Sequence, residues 1–122
     1  MIRYLFLDNN MDTTATVVKT SSILLLEYRG LEVCLFPSDK TPIHFYATSG
    51  YDVAMARIVF KNGIFEKTEI LNVQGSSPMS DKNRERFRVI VEEYLSELVR
   101  QWIDYYIYSK MPQSEKILKN LE

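Results

Sequence analysis

The strongest local constraint in this sequence is the dipeptide Asn62-Gly63, which separates two apolar-rich stretches. Asparagine and glycine both tolerate positive φ angles, so the pair is typical of a type I′ turn between antiparallel strands. Arg29-Gly30 and Ser49-Gly50 also stand as two-residue connections between strand-like stretches. Three such turns in one region predict an antiparallel β-meander over residues 23–73.

The segments between these turns have the composition of strands, because they are rich in β-branched and aromatic residues. The predicted strands are 23–28, 31–36, 43–48, 51–61 and 64–73, and residues 37–42 form a longer polar loop. Residues 1–22 make up an N-terminal segment in which 2–7 and 14–20 could add strands. The sheet is therefore predicted to have four to six strands.

Residues 81–109 show helical spacing. Ser80 is a suitable N-cap residue and Pro112 stops the helix, after which 113–121 is predicted as a short second helix. The apolar positions recur every three or four residues and form one stripe: Phe87, Val91, Tyr94, Leu95, Leu98, Trp102, Ile103 and Tyr106. The sequence predicts a single domain, residues 1–122, of the α+β class, with the antiparallel meander packed on one long C-terminal helix.

Side chains alternate along a strand, so the turn lengths also predict which of them share a face of the sheet. One face has a floor of small residues on which the long helix is expected to pack: Ala47, Ala54 and Ala56. Cys34 is predicted on that face, whereas Leu35, His44 and Met55 are predicted on the opposite one. The opposite face is apolar enough to need a cover, which residues 1–22, the C-terminal helix or another copy of the chain could supply.

Composition and charge exclude several classes of protein. The 122 residues carry a net charge of −1, so no overall field attracts nucleic acid or an anionic membrane. A single cysteine cannot form an internal disulfide, and no apolar run approaches the roughly 20 residues of a spanning helix. We therefore expect a cytoplasmic protein without membrane association. Phosphate-loop, dinucleotide, nucleophile-elbow and metal-ligand motifs are all absent from the sequence, so no catalytic residue, cofactor or metal is predicted.

His44, the only histidine, is the first candidate for a functional residue. In the predicted register it shares a face with Tyr46 and Arg57, so these three side chains could bind a ligand or support acid–base chemistry. A histidine packed in the sheet with a satisfied hydrogen bond is the favoured alternative. The reason is that no aspartate or glutamate is predicted beside His44 to orient its ring.

The sequence around His44 also resembles a known family. Residues 30–46 read Gly-Leu-Glu-Val-Cys-Leu-Phe-Pro-Ser-Asp-Lys-Thr-Pro-Ile-His-Phe-Tyr. This stretch is similar to the opening of the small bacterial domain-of-unknown-function family 4160, in which a glycine, an aromatic-rich strand and a polar turn precede Pro-Pro-His-x-His. The other features in matching places are Ala54, Asn62-Gly63 and Trp102.

The resemblance extends over about residues 23–108, with two departures from the motif. Ile43 stands in place of the second proline and Tyr46 in place of the second histidine, so a role that needs both histidines does not carry over. The resemblance implies a bacterial protein without an established activity. It also implies a regulatory or toxin–antitoxin-like context, because members of the family often have such neighbours.

The start of the predicted long helix is basic and is the second candidate. Its cations are Lys82, Arg84, Arg86 and Arg88. Cations at the positive end of a helix dipole attract anions, so phosphate or nucleic-acid binding is one interpretation. Pairing with Glu85, Glu92 and their neighbours on a solvated face is the other, and the negative net charge favours it.

Tyr105 and Tyr108 are candidate interface residues, because they lie off the apolar stripe. With the uncovered face of the sheet, they favour a non-catalytic protein-interaction module that self-associates into a homo-oligomer or binds a protein partner. Two alternatives stay open. One is nucleic-acid or phosphate binding at the basic helix start, which would weaken steeply with salt, and the other is an uncharacterised enzyme that uses His44.

Overall fold

The computed structural model describes residues 22–36 and 43–122. The predicted loop 37–42 and the predicted strands 2–7 and 14–20 lie outside the described residues, as does the N-terminal segment apart from its last residue. In chain order the elements are β1 (Ile23–Tyr28), β2 (Leu31–Leu35), β3 (His44–Ser49), β4 (Asp52–Lys61), β5 (Ile64–Asn72), β6 (Ser77–Pro78), α1 (Asp81–Glu93), α2 (Leu95–Tyr106) and β7 (Glu115–Lys116).

Within the described residues, seven strands form one sheet in the order β5-β4-β3-β2-β1-β7, and β6 pairs with the start of β4. The neighbours from β5 to β1 are antiparallel, whereas β7 runs parallel to β1 and β6 runs parallel to β4. The fold is therefore mixed α+β with a mostly antiparallel sheet. The predicted arrangement, a meander of four to six strands on one long C-terminal helix, is wrong.

Two of the three predicted turns are confirmed. Arg29-Gly30 has φ angles of 49° and 82°, and Asn62-Gly63 has φ angles of 55° and 77°, as a type I′ turn requires. The third turn is displaced by one residue, because β3 continues through Ser49 and β4 begins at Asp52. The turn is thus Gly50-Tyr51, and His44 lies opposite Arg57 instead of Met55.

The pairing of β2 with β3 also differs from the prediction. Cys34 lies opposite Tyr46, so Cys34 is on the His44 face and its predicted place on the helix face is wrong. Leu35 moves to the helix face for the same reason. The cause is the connection 37–42, since a loop of that length does not fix a register as a two-residue turn does.

Two bulges shift the register further. Leu25 in β1 and Glu66 in β5 have no residue directly opposite them, so side chains beyond each point change face. As a result, Glu69 lies opposite Arg57. An acidic side chain is therefore present on the His44 face, where none is predicted.

The main hydrophobic core lies between the other face of the sheet and the two helices. The predicted floor of small residues is confirmed, because Ala47, Ala54 and Ala56 are fully buried in the same cluster as Phe87 and Ile90 of α1. The Ser80 hydroxyl caps α1 by accepting a hydrogen bond from the Asn83 backbone N–H at 3.2 Å, as predicted. These contacts position α1 against the sheet.

The single long helix predicted over 81–109 is wrong, because the chain forms two helices separated at Tyr94. The Tyr94 backbone has φ −111° and ψ 25°, outside the helical region. A straight helix over 81–106 would be about 39 Å long, whereas the ten-residue β4 spans about 33 Å. Such a helix could not keep its whole apolar stripe on the sheet, whereas two shorter helices both contribute to the core.

The short helix predicted over 113–121 is also wrong, because this segment contains β7. The Ile117 backbone N–H donates to the Glu27 carbonyl oxygen at 2.7 Å, and the Ile117 side chain is buried in the core cluster. The edge of the sheet thus holds the segment extended, and its hydrogen bonds replace those of a local helix.

Candidate functional site: an apolar groove and the predicted site residues

An apolar groove lies between the end of the β4–β5 hairpin and α2. It has a volume of about 410 Å³ and is lined by Phe60, Leu95, Ser96, Val99, Arg100 and Ile103. We call it the hairpin–helix groove. Its geometry follows from the sequence, since the type I′ turn fixes the hairpin end and α2 presents side chains four residues apart along one side.

Apolar side chains around this groove remain in contact with solvent. Phe60 is 40% exposed at the groove, and Ile64, next to the turn and on the opposite face of the hairpin, is 71% exposed. On α2, Val99 and Ile103 lie four residues apart, and Ile107, which follows the last residue of the helix, is 61% exposed. The predicted core stripe included Ile103, but the structure places it at the surface of the groove.

The polar rim of the groove is internally paired. Arg100 Nη1 donates to Asp104 Oδ2 at 3.0 Å, one helical turn further along α2. This pair satisfies the charges at the groove without a ligand. The groove therefore offers apolar contact and no unpaired charge from α2 itself.

The structure places His44, Tyr46 and Arg57 on one face of the sheet, next to one another. The His44 and Tyr46 rings are edge to face with centroids 5.4 Å apart, and both residues are 5% exposed. Arg57 lies opposite His44 on the neighbouring strand and is bound to Glu69 through Nε at 2.9 Å and Nη2 at 2.5 Å. The two rings are thus buried, and only the guanidinium of the three groups reaches solvent.

Glu69 is the acidic partner of Arg57. The hydrogen bond from Arg57 is the main reason that the pKa of the Glu69 carboxyl is lowered, and Lys67 adds to the effect. The Lys67 ammonium lies 3.4 Å from Glu69 Oε2. Arg57 is therefore engaged in a cross-strand ion pair, on the face of the sheet where the predicted site lies.

The basic start of α1 is largely engaged within the chain. Arg84 donates to Asn72 Oδ1 and to the Ile70 carbonyl oxygen, both at 2.8 Å. Arg88 donates to Glu92 at 2.7 Å and also binds Glu85, whose pKa this contact lowers. The four predicted cations therefore do not form one patch: Arg84 points to β5 and Arg88 to its own helix.

Arg86 and Lys82 have a different environment. Arg86 binds Glu122, with Nη2 donating to Oε1 at 3.2 Å and Nε to Oε2. Lys82 lines the same surface groove as Arg86, and within the described residues no carboxylate is paired with it. These two are the predicted cations that share a site.

The tyrosines predicted as an interface pair lie apart. Tyr105 packs against the core and its ring is edge to face with Tyr106, with centroids 5.0 Å apart. Tyr108 is exposed beyond the end of α2. The Tyr106 hydroxyl donates to the Phe36 carbonyl oxygen at 2.6 Å, which fixes the end of α2 to the residue that follows β2.

One further contact joins α2 to β7. Glu97 of α2 and Glu115 of β7 have carboxyl groups in hydrogen-bond contact, and burial followed by the Glu115 charge raises the pKa of Glu97. A carboxyl group this close to a second one keeps its proton to a higher pH than an isolated carboxyl group does.

Among residues 22–36 and 43–122, no helix is long and apolar enough to span a membrane. In the same part of the chain, no group of three or more histidine, cysteine, aspartate or glutamate side chains is placed to hold a metal ion.

Comparison with known proteins adds no further assignment. No family model matches the sequence, and no curated protein or solved structure matches it significantly. The resemblance of residues 23–108 to the domain-of-unknown-function family stays a prediction.

Sequence reasoning missed the residues that form the hairpin–helix groove. A signal was present, because Leu95, Val99, Ile103 and Ile107 recur every four residues and form a second apolar row beside the main stripe. A helix with two apolar rows has more apolar surface than one sheet contact covers. No comparable pattern marks the contact of Arg86 with Glu122.

Proposed function

We propose that the protein is a non-catalytic, self-associating module, and that two copies meet at the hairpin–helix groove. The observation that supports this most is the exposure of apolar side chains from two separate elements that line the same groove, Phe60 on β4 and Ile103 on α2. Exposed apolar side chains that are contiguous, as opposed to scattered, are typical of protein interaction sites.

The shape of the surface supports a second copy of the chain as the occupant. The lining of the groove combines the more exposed apolar side chains Phe60 and Ile103 with the half-buried side chains of Leu95 and Val99. A two-fold contact requires that each copy provide both the projecting part and the recess. A projection and a recess of the same apolar chemistry, side by side, meet that requirement.

The other face of the sheet supports self-association less well. Cys34, His44, Tyr46 and Thr48 at its centre are all buried within one copy of the chain. Residues that are buried in this way do not offer an apolar surface to a partner. The proposed contact is therefore moved from the sheet face and the helix tyrosines to the hairpin–helix groove.

Nucleic-acid binding has weaker support. Arg84 and Arg88 direct their guanidinium groups to acceptors within the chain, and Arg86 is bound to Glu122. Nucleic-acid binding depends on protein cations that can neutralise phosphates and so release the counterions of the nucleic acid. Cations that are already bound within the chain are less available for this. An enzyme that uses His44 also has weaker support, since the His44 and Tyr46 rings are 5% exposed.

The resemblance to the bacterial family adds a context to the proposal. We propose a cytoplasmic, regulatory role of the toxin–antitoxin-like kind, in which association of two copies forms the unit that acts. Self-association is a feature that such a role can use, and it can be tested without knowing the partner.

Light scattering coupled to size-exclusion chromatography tests the proposal. Phe60→Glu places a carboxylate in the lining of the groove, at a side chain that is already 40% exposed, so it adds charge to the proposed interface. The wild-type mass is expected to rise above 14.3 kDa with concentration, and the variant is expected to stay at the monomer mass.

Tyr51→Glu is the matched control. Tyr51 is also exposed, but it lies at the opposite end of β4, about 30 Å from the hairpin end. The control is expected to associate as the wild type does. Equal loss of association in both variants would mean that added charge acts non-specifically, and a monomeric wild type would contradict the proposal outright.

A further inference from the structure

Residues 115–122 form an extended segment that crosses from the edge of the sheet to α1, and we call it the strap. Its start is β7, which pairs with β1, and Ile117 anchors it in the core. Near its end, the Leu121 backbone N–H donates to the Tyr28 hydroxyl oxygen at 3.1 Å. Glu122 then reaches the side of α1.

The Glu122 carboxylate is held by groups from three parts of the chain: α1, the β1–β2 turn and the end of β1. Arg86 of α1 binds both of its oxygens, and Arg29 of the β1–β2 turn lies 3.6 Å from Oε1. The Tyr28 hydroxyl lies 3.4 Å from Oε2. The hydrogen bond from Arg86 is the main cause that lowers the pKa of Glu122, so this carboxyl is ionised at neutral pH.

Tyr28, Arg86 and Glu122 also line a surface groove of about 370 Å³, which we call the strap groove. Its walls away from the strap combine apolar and cationic parts: Tyr28 and Val89 provide apolar surface, and Lys82 and Arg86 provide charge. Glu85 also lines it, but its carboxylate is bound by Arg88. Within the described residues, Lys82 has no paired carboxylate, so the groove still has a free cation while Glu122 is bound.

The geometry points to a binding site for an acidic peptide of another protein, in which an aliphatic residue precedes a carboxylate, and Leu121-Glu122 of the strap occupies this site in the absence of that peptide. The strap itself defines the chemistry, because Leu121 packs against the core next to Tyr28 and Glu122 binds the cationic part. Two guanidinium groups and a hydroxyl around one carboxylate match a planar, two-oxygen acceptor. This site is independent of the hairpin–helix groove.

The groove is also built so that its occupant can be exchanged. Arg86 has an 18% exposed side chain, whereas the Arg29 side chain is 47% exposed, so the bound carboxylate is reached from solvent. Exposed ion pairs contribute little free energy each. A competing peptide therefore displaces Glu122 more readily than it displaces Ile117, which lies in the core.

The test uses the full chain and a fluorescent peptide with the sequence of residues 115–122, Glu-Lys-Ile-Leu-Lys-Asn-Leu-Glu, acetylated and amidated. Binding is measured by anisotropy for the wild type and for Glu122→Gln, which removes the internal carboxylate. Glu122→Gln is expected to bind the peptide about threefold to fivefold more tightly. The control Glu92→Gln lies outside the strap groove, because Glu92 is paired with Arg88, and it is expected to behave as the wild type.

Two charge variants test the chemistry of the site. Arg86→Gln in the Glu122→Gln chain, and a peptide that ends in glutamine, are each expected to weaken binding about threefold to fivefold. Equal binding of the acidic and neutral peptides would overturn the proposal. Inorganic phosphate that displaces the peptide at an equal concentration would overturn it in favour of a general anion site. Stronger self-association of Glu122→Gln than of the wild type, at the same concentration and without peptide, would overturn it in favour of a second copy.

Discussion

Ile117→Ala is expected to release the strap while the rest of the fold stays intact. Ile117 is 6% exposed and belongs to the core cluster, whereas its neighbour Leu118 is 88% exposed. Truncation of a buried isoleucine to alanine destabilises by about 2–5 kcal/mol, and a position at the edge of a core belongs to the lower half of that range. We therefore expect a loss of about 2–3 kcal/mol from docking of the strap.

This free energy converts directly to a population. Since about 1.4 kcal/mol corresponds to a tenfold change, the open fraction of the strap is expected to rise about 30-fold to 140-fold. Native-state hydrogen exchange measures this at two amides: that of residue 117, whose N–H donates to the Glu27 carbonyl oxygen, and that of Leu121, whose N–H donates to the Tyr28 hydroxyl. Both are expected to exchange faster by that factor.

The control and the refuting result follow from the same contacts. Leu118→Ala, one residue along the strap, is expected to change exchange by less than about twofold, because its side chain is in solvent. The Leu98 amide of α2, which donates to the Tyr94 carbonyl at 2.9 Å, reports on the core. Equal acceleration at Leu98 would refute the reasoning, since the strap would then open only when the whole domain unfolds.

Three further predictions concern stability and pH. Phe87→Ala removes a fully buried ring from the core and is expected to lower the free energy of unfolding by about 3–5 kcal/mol in urea titrations. Gly63→Ala is expected to lower it by about 1–2 kcal/mol through backbone strain alone, because φ is 77° and no other atom lies within 4 Å of the added methyl group. Carboxyl NMR titration is expected to show Glu97 taking up its proton before Glu122 on acidification. The raised pKa of Glu97 stabilises the fold in acid, and this contribution is lost as the pH rises through that pKa. The lowered pKa of Glu122 stabilises the fold at neutral pH, and this contribution is lost as the pH falls through that pKa.

The parts of the fold that depend on local chemistry could be predicted from the sequence. Asn62-Gly63 and Arg29-Gly30 are two-residue turns whose backbone requirements are met by the residues themselves. The Ser80 cap and the small floor formed by alanines are similarly local in origin. The turn predicted at Ser49-Gly50 lies one residue further on, at Gly50-Tyr51. Gly50 can supply a positive φ angle in either of these two turns, so the sequence does not distinguish between them.

The parts that depend on packing across the molecule could not be predicted. The interruption at Tyr94 reflects the length of the sheet beneath the helix, which the helical stripe does not encode. The strap is extended because Ile117 finds a place in the core and an acceptor on β1, although residues 113–121 have helical spacing. The bulge at Glu66 places Glu69 beside Arg57, and nothing in the alternation of β5 marks it.

The same limit applies to the candidate site. The hypothesis of self-association followed from an excess of apolar residues, and it was placed on the sheet face that carries His44. The side chains at the centre of the His44 face are buried, whereas Ile103 on the helix is exposed. A count of apolar residues indicates that some apolar surface is left outside the core. Only the strand registers and the helix break determine where that apolar surface lies.

Sedimentation equilibrium of the wild type beside Ile103→Glu tests the central claim most directly. Ile103 lines the hairpin–helix groove, and a glutamate there lies one turn from Arg100, so the helix itself can accommodate the charge. The account predicts that the wild type approaches twice 14.3 kDa with rising concentration while Ile103→Glu stays at 14.3 kDa. A wild type that remains at 14.3 kDa throughout, or a variant that associates equally well, would contradict it.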